Sequence, residues 1–281
     1  MTNFSLKPLQ IGTQLFDFSR TYLVGIVNVT PDSFSDGGRY DNADAALRHI
    51  ESLIAAGADM IDLGAESTRP DAEPVSAGEE IRRLSSIVKK YKTYFSTPLS
   101  IDTMKSDVAD FCLSEGAHLI NDISAFEADH KMPSVVARHH AAAIMMHMKG
   151  RPQGMQDNPT YQHIVQEIYS YFEDRLLVAE HHGIDVLILD PGIGFGKTLG
   201  HNLTLLRHLE TFQSLGHPLL IGTSRKSFIG KITGEDTPER LEGSISSNMI
   251  ALQNGASFLR VHDVSAMKKA VAVADAILRT S

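Results

Sequence analysis

The sequence predicts an α/β fold, a closed (β/α)8 TIM barrel with a short N-terminal β-hairpin, on three observations. Eight apolar runs of strand length end in polar residues, and helical periods fill the intervals between them. Four helix ends carry a glycine, a short polar step and then the next apolar run: "AAGADMIDLGAES", "SEGAHLINDIS", "HHGIDVLILDPG" and "QNGASFLRVHDV". Glycine suits that place because it tolerates the left-handed backbone that ends a helix. Strict strand–helix alternation implies parallel strands with right-handed crossovers, and eight units in about 260 residues suit closure better than an open sheet.

In chain order, the opening "FSLKPLQIGTQLFDFSR" reads as the hairpin, turning near Ile11-Gly12-Thr13. The barrel strands are expected at 22–29, 60–65, 99–102, 119–123, 143–147, 186–190, 219–222 and 258–262. Before Gly57, Ala43, Ala46, Leu47, Ile50, Leu53 and Ile54 repeat at the helical period. "IRRLSSIVKKY", "IVQEIYSYF" and "AMKKAVAVADAIL" read as helices on the same ground. No linker or low-complexity tract interrupts the pattern, so one domain is expected over 1–281, with the hairpin in 1–20 and the barrel in 21–281.

Composition narrows the function classes. At 281 residues, with 42% hydrophobic and 21% charged side chains, the chain can bury a sizeable core. No apolar run approaches the ~18–20 residues of a membrane helix, and "MTNFSLKPLQ" lacks the pattern of a secretory signal. A single cysteine, Cys112, excludes an internal disulfide and fits a reducing cytoplasm; it shares a helical face with Val108 and Phe111 and reads as core. The net charge is −8, and "VKKYK" at 88–92 is a solvated helix face rather than a basic patch. Nucleic acid and anionic membranes are therefore not expected partners. An anionic ligand must instead be met by a few placed basic residues.

Chemistry in such barrels sits at the C-terminal strand ends. Those ends carry Asn28; Asp62 and Glu66; Asp102; Asn121 and Asp122; His147; Asp190; Ser224, Arg225 and Lys226; and Arg260 and His262. Polar residues at every end favour a site over a set of unrelated caps. Asp102, Asn121, Asp190 and Lys226 are expected in one deep pocket. A carboxylate that accepts two N–H bonds, an amide, and a lysine donor complement a flat heterocycle with an amino-pyrimidinone edge. Ile123, Met145 and Phe195 are expected to supply its apolar faces. Arg260, His262 and Asn28 form a second pole suited to phosphate or pyrophosphate, and the Asn28 carbonyl oxygen can hold magnesium.

Other motifs fail on inspection. "DPGIGFGKT" is not a Walker loop, since that spacing needs glycine where Pro191 stands, and it lacks a dinucleotide fingerprint. The pairs His139–His140 and His181–His182 diverge on a helix and make a poor metal site. No serine sits in a nucleophile elbow. The match Asn28-Val29-Thr30 to a glycosylation acceptor is empty without secretion.

The motifs "GIVNVTPDSFSDGG", "DLGAESTRP", "SIDT", "NDIS", "DPGIGFGKT" and "GTSRKSFIG", in that order from about residue 22 to 270, resemble the dihydropteroate synthase family of folate biosynthesis. The resemblance implies condensation of 7,8-dihydropterin-6-methyl pyrophosphate with para-aminobenzoate, giving dihydropteroate and pyrophosphate, with magnesium and as a homodimer. It implies pterin contacts from Asp102, Asn121, Ile123, Met145, Asp190, Phe195, Gly222 and Lys226, with Asp62 supporting them. Pyrophosphate falls to Asn28, Thr68, Arg260 and His262, and magnesium to Asn28. Phe34, Thr68, Arg69, Pro70, Phe195, Lys226 and Ser227 are implied around para-aminobenzoate. Asp102, Lys226, Asn28 and Asp32 are implied in catalysis. The loop after the first strand, "TPDSFSDGG", buries almost nothing, which fits a segment that closes over a reacting cation and excludes water. The competing readings are a pterin-binding methyltransferase of corrinoid systems and a non-catalytic pterin-binding paralogue. The first should lack the "TPDSFSDGG" and "SRKS" loops, and the second should show damage at Asn28, Asp102, Arg260 or His262.

Overall fold

The computed structural model describes residues 6–29, 39–66, 75–236 and 239–279. β1 (Leu9–Ile11) and β2 (Gln14–Phe16) pair antiparallel, turning at Gly12-Thr13, where Gly12 has φ +58°. A Cβ on Gly12 would lie 2.4 Å from the His118 ring, so both the backbone and the space require glycine there.

The barrel strands are β3 (Tyr22–Asn28), β4 (Met60–Gly64), β5 (Leu99–Asp102), β6 (Leu119–Asp122), β7 (Ala142–Met146), β8 (Leu187–Asp190), β9 (Leu219–Ile221) and β10 (Ala256–Val261). They pair in chain order, all parallel, and β10 closes on β3. The expected strand count, order and direction therefore match, with ends moved by one or two residues. The helices are α1 (Arg39–Ala56), α2 (Ala77–Tyr94), α3 (Ser106–Ser114), α4 (Met132–Arg138), α5 (Ile164–His181), α6 (Leu199–Arg207), α7 (Ser227–Thr233), α8 (Leu241–Gln253) and α9 (Val264–Leu278). A 3₁₀ segment, Leu209–Leu215, follows α6, and two helices rather than one follow β9. Among the described residues no helix is long and apolar enough to cross a membrane.

Side-chain alternation divides the buried residues into two layers. Leu63, Ile101, Ile120, Met145, Leu189, Ile221 and Leu259 face outward and pack with the helices, and Cys112 lies in this layer, fully buried. Val24, Met60, Leu119, Ile144, Ile188, Leu220 and Phe258 belong to the inner cluster. The hairpin extends that cluster, its Phe16 ring lying 4.8 Å from Tyr22 and 5.3 Å from Phe258. With one end apolar and plugged, a pocket is left to the opposite end, where most inward positions are polar or glycine and Met146 is an exception.

Candidate active site

Parallel registry places the inward side chains at common levels. Asp62 is opposite Ser100, Asp102 opposite Asn121, and Met146 opposite Asp190. Asp62 is the hub: it is fully buried, and its Oδ2 accepts from Arg260 Nε at 2.6 Å and Asn121 Nδ2 at 3.0 Å. Its Oδ1 is buried with no partner among the described residues. Arg260 Nη2 also donates to Asp102 Oδ2 at 2.9 Å. One guanidinium from β10 thus spans carboxylates on β4 and β5.

This arrangement corrects the expectation of two separate poles. Arg260 is a structural partner of the pocket carboxylates as well as a candidate anion donor, because its stem enters the barrel at the level of Asp62. His262 stands further out, half-buried, its Nδ1 3.0 Å from Ser224 Oγ. Burial, reinforced by the Arg260 charge, pushes its pKa down to about 4, so it is neutral without an anion nearby.

Asp190 ends β8, and its Oδ1 accepts from Gly192 N at 2.8 Å, with no protein donor on Oδ2 among the described residues. Burial raises its pKa to about 6 against the hydrogen bond from Gly192 and the charge of Lys226. Burial likewise raises Asp102 to about 7: Arg260 opposes it, but that cation is shared with Asp62, whose own charge adds to the rise. Lys226 precedes α7 and holds its ammonium 4.1 Å from the centre of the Phe195 ring. Burial and Arg260 lower its pKa to about 8, with Asp190 and Asp102 opposing. Gly222 adjoins Arg260, and a Cβ there would meet Arg260 Cβ in ordinary contact at 3.8 Å. Ser227, the first residue of α7, is exposed beside this rim.

The apolar face is Ile123, Met146, Met155 and Phe195. Met145 is not part of it. It lies in the outer layer, fully buried, and is opposite Asp122, so its neighbour Met146 takes the inward place. Two adjacent methionines carry no alternation to choose between them; registry with Asp190 makes the choice. The same parity turns other polar ends away from the pocket. Asp122 closes its own loop, with Oδ1 accepting from Ser124 N and Oγ and Oδ2 from Phe126 N. The His147 ring packs edge-on against Tyr171. Arg225 forms a two-point ion pair with Asp263. Glu66 accepts from Val75 N at 2.9 Å and Lys105 Nζ at 2.5 Å, while that amine also reaches the buried Glu80 at 2.8 Å. Met146 and Met155 are the residues the sequence reading missed.

Asn28 ends β3 with its side chain exposed, and a Cβ on Gly64 would lie 3.6 Å from its Oδ1 and 3.3 Å from Asp102 Cβ. Glycine thus leaves room between the amide and the carboxylate. Among the described residues no three His, Cys, Asp or Glu side chains are grouped to hold a metal. A hard cation fits here only with Asn28 Oδ1 as one oxygen ligand and with phosphate and water supplying the others, a usual situation for magnesium. Asp32, Phe34, Thr68, Arg69 and Pro70 lie outside the described residues.

A barrel mouth with a buried carboxylate–amide–guanidinium network on one side and an apolar slot on the other defines an enzyme that binds a flat, nitrogen-rich ring. The family model described as pterin binding enzyme matches residues 24–262. A dihydropteroate synthase of Synechocystis sp. is 43% identical over 99% of this chain and 98% of its own. One of Escherichia coli is 42% identical over 97% of each chain. Among solved structures, the Yersinia pestis dihydropteroate synthase with a sulfonamide drug complex superposes with a TM-score of 0.92 at 39% identity, covering 98% of this chain and all of that one. The Xanthomonas albilineans dihydropteroate synthase with 4-aminobenzoic acid gives 0.91 at 39% identity and the same coverage. This chain belongs to the pterin-binding enzymes and, within them, to the dihydropteroate synthase family.

Proposed function

We propose that this protein condenses 7,8-dihydropterin-6-methyl pyrophosphate with para-aminobenzoate, releasing 7,8-dihydropteroate and pyrophosphate. The observation that carries this reading is the pocket formed by Asp102, Asn121, Asp190 and Lys226 around the Asp62–Arg260 pair. Asp190, ionised, accepts from a ring N–H and the exocyclic amine, and Asn121 meets the adjacent edge. Lys226 donates to the carbonyl and N5 region, and Asp102 faces the remaining ring nitrogen. Ile123, Met146 and Phe195 supply dispersion against the ring faces.

The reaction follows from the charges. The C–O bond to pyrophosphate breaks, its electron pair leaving with the anion. The electron-rich dihydropterin delocalises the methylene cation that remains, and ionised Asp102 stabilises it. The aniline nitrogen then forms the new C–N bond and releases one proton. No covalent enzyme nucleophile is needed. Arg260 and His262 neutralise the leaving group, and an anion beside His262 raises the pKa that burial depresses. Magnesium, held through Asn28 Oδ1, would supply further charge neutralisation on the phosphate oxygens. Phe195, Lys226 and Ser227, with Phe34, Thr68, Arg69 and Pro70, frame para-aminobenzoate, and sulfonamides would compete for that place.

The protein acts in a reducing, cytoplasmic setting, in keeping with its free, buried Cys112. It assembles as a homodimer, for which Ile250 on α8 and Val273 and Ile277 on α9 offer exposed apolar surface on helices in contact. Pyrophosphate release is expected only when both substrates are present. Release at the same rate without para-aminobenzoate would show a hydrolase and overturn the reading; sedimentation tests the dimer.

A further inference from the structure

Lys197 takes no part in the chemistry above, yet it is only 3% exposed beneath the mouth. Its Nζ lies 2.9 Å from His147 Nδ1, 3.2 Å from His147 O and 2.9 Å from Phe195 O. Burial lowers the Lys197 pKa well below the usual lysine value. With the imidazole proton on Nε2, all three neighbours are acceptors, which favours the charged amine and its three N–H groups. Burial and the Lys197 charge hold the His147 pKa down at about 2, which keeps that ring neutral. Lys197 thereby joins the end of β7 to the turn after β8.

The two segments meet too closely for other side chains to intervene. A Cβ on Gly192 (φ +71°) would lie 2.0 Å from His147 O, and one on Gly196 (φ +61°) would lie 2.2 Å from Lys149 O. Gly194 N donates to Asn202 Oδ1 at 2.7 Å, and Tyr161 Oη to Gly196 O at 3.0 Å. Gly192 N ties the turn to the pocket carboxylate Asp190, and the other ties named here face away from the Phe195 ring. On the pocket side lie Met146 and the Phe195 ring, packed together, with Lys226 over that ring.

We propose that Lys197 is a positioning residue for this active site: it rivets the β7 and β8 loops from below, so that Phe195 is held as the platform for Lys226 and for the aromatic substrate. The last clause rests on the proposed function; the contact with Lys226 does not. The charged groups acting on Lys226 are Arg260, Asp190 and Asp102, and Lys197 itself, since the two lysines repel each other. Replacing Lys197 with a neutral residue removes that repulsion, which by itself raises the Lys226 pKa, while Asp190, at about 6, stays ionised where Lys226 titrates.

The test compares Lys197→Met, Phe195→Leu and the double variant. In unliganded protein, the Lys226 ε-carbon is titrated by NMR with ¹³C-labelled lysine. Loss of the ring face removes a cation–π contact and should move its pKa down by roughly half a unit in Phe195→Leu. Lys197→Met also removes the Lys197 repulsion, so its shift should lie roughly half a unit lower in the unmodified background than in the Phe195→Leu background, where only the repulsion is lost. In turnover, Lys197→Met should raise the KM for para-aminobenzoate about tenfold with a smaller fall in kcat, and in the Phe195→Leu background should add less than about twofold. Equal Lys226 shifts, or equal KM factors, from Lys197→Met in the two backgrounds overturn the proposal and leave Lys197 a purely structural residue. Should Lys197→Met not fold, Lys197→Gln is read in its place, and an unmoved Lys226 titration in Phe195→Leu alone also overturns the proposal. Failure of the unmodified protein to condense the substrates would overturn the functional reading while leaving the titration to decide the rivet.

Discussion

Single residues in this pocket carry opposing demands. Asp190 must be an acceptor for its ligand, yet burial makes its ionised form costly. Asp190→Asn keeps the shape but replaces an acceptor oxygen with an N–H, and should cost about 2–4 kcal/mol of pterin-analogue affinity by calorimetry. Unchanged affinity would remove Asp190 from the pocket. The methionine pair separates fold from site. Met145→Ala empties the outer layer and should cost about 2–4 kcal/mol of stability with pterin affinity intact. Met146→Ala should weaken the analogue by about 1 kcal/mol instead. Denaturant melts and calorimetry on the two variants distinguish these effects, and a reversed pattern would refute the assigned registry.

Between elements, the contacts that matter cross the barrel. Arg260 on β10 satisfies Asp62 on β4 and Asp102 on β5, so removing it leaves two buried carboxylates without their cation. Arg260→Ala should therefore weaken a phosphate-free pterin as well as pyrophosphate, and lower stability by about 3–5 kcal/mol. Loss confined to pyrophosphate would restore the picture of two independent poles. The turn after β8 is fixed just as firmly by backbone contact. At Gly192 the positive φ and the His147 carbonyl both exclude a Cβ. Gly192→Ala should cost more than about 1 kcal/mol of stability and displace the Phe195 platform, read as a weaker para-aminobenzoate interaction.

For the whole molecule, the pocket carboxylates tie stability to pH in a direction opposite to most surface acids. Asp102 and Asp190 hold folded pKa values of about 7 and 6, above the ordinary carboxylate value of 3.8. The folded state therefore binds more protons than the unfolded state between pH 3.8 and about 7, and this contribution to stability falls as pH rises through that window. Asp190→Asn should flatten the fall, measured as unfolding free energy between pH 4 and pH 8. Function runs the other way. Asp102 and Asp190 must be ionised and Lys226 protonated, so kcat/KM should be bell-shaped, declining below about 7 and above about 8. A profile flat across both values would dissociate these groups from the free-enzyme site.

The sequence by itself determined the eight-strand alternation, the hairpin and the polar strand ends, because these are local: glycine stops, helical periods and short apolar runs are legible without neighbours. It also placed Asp102, Asn121, Asp190 and Lys226 in one pocket, since a closed parallel barrel brings its strand ends together. Parity at doubled positions was left to the tertiary structure. Met145–Met146 is a pair of like chemistry, so alternation is silent there and only registry with β8 chooses the inward member. Tertiary structure also decided what each polar end faces. Asp122 and His147 turn away to cap and to accept, and Arg260 reaches across the barrel. Such contacts join residues far apart in the chain, and their geometry is set by barrel closure rather than by any local period.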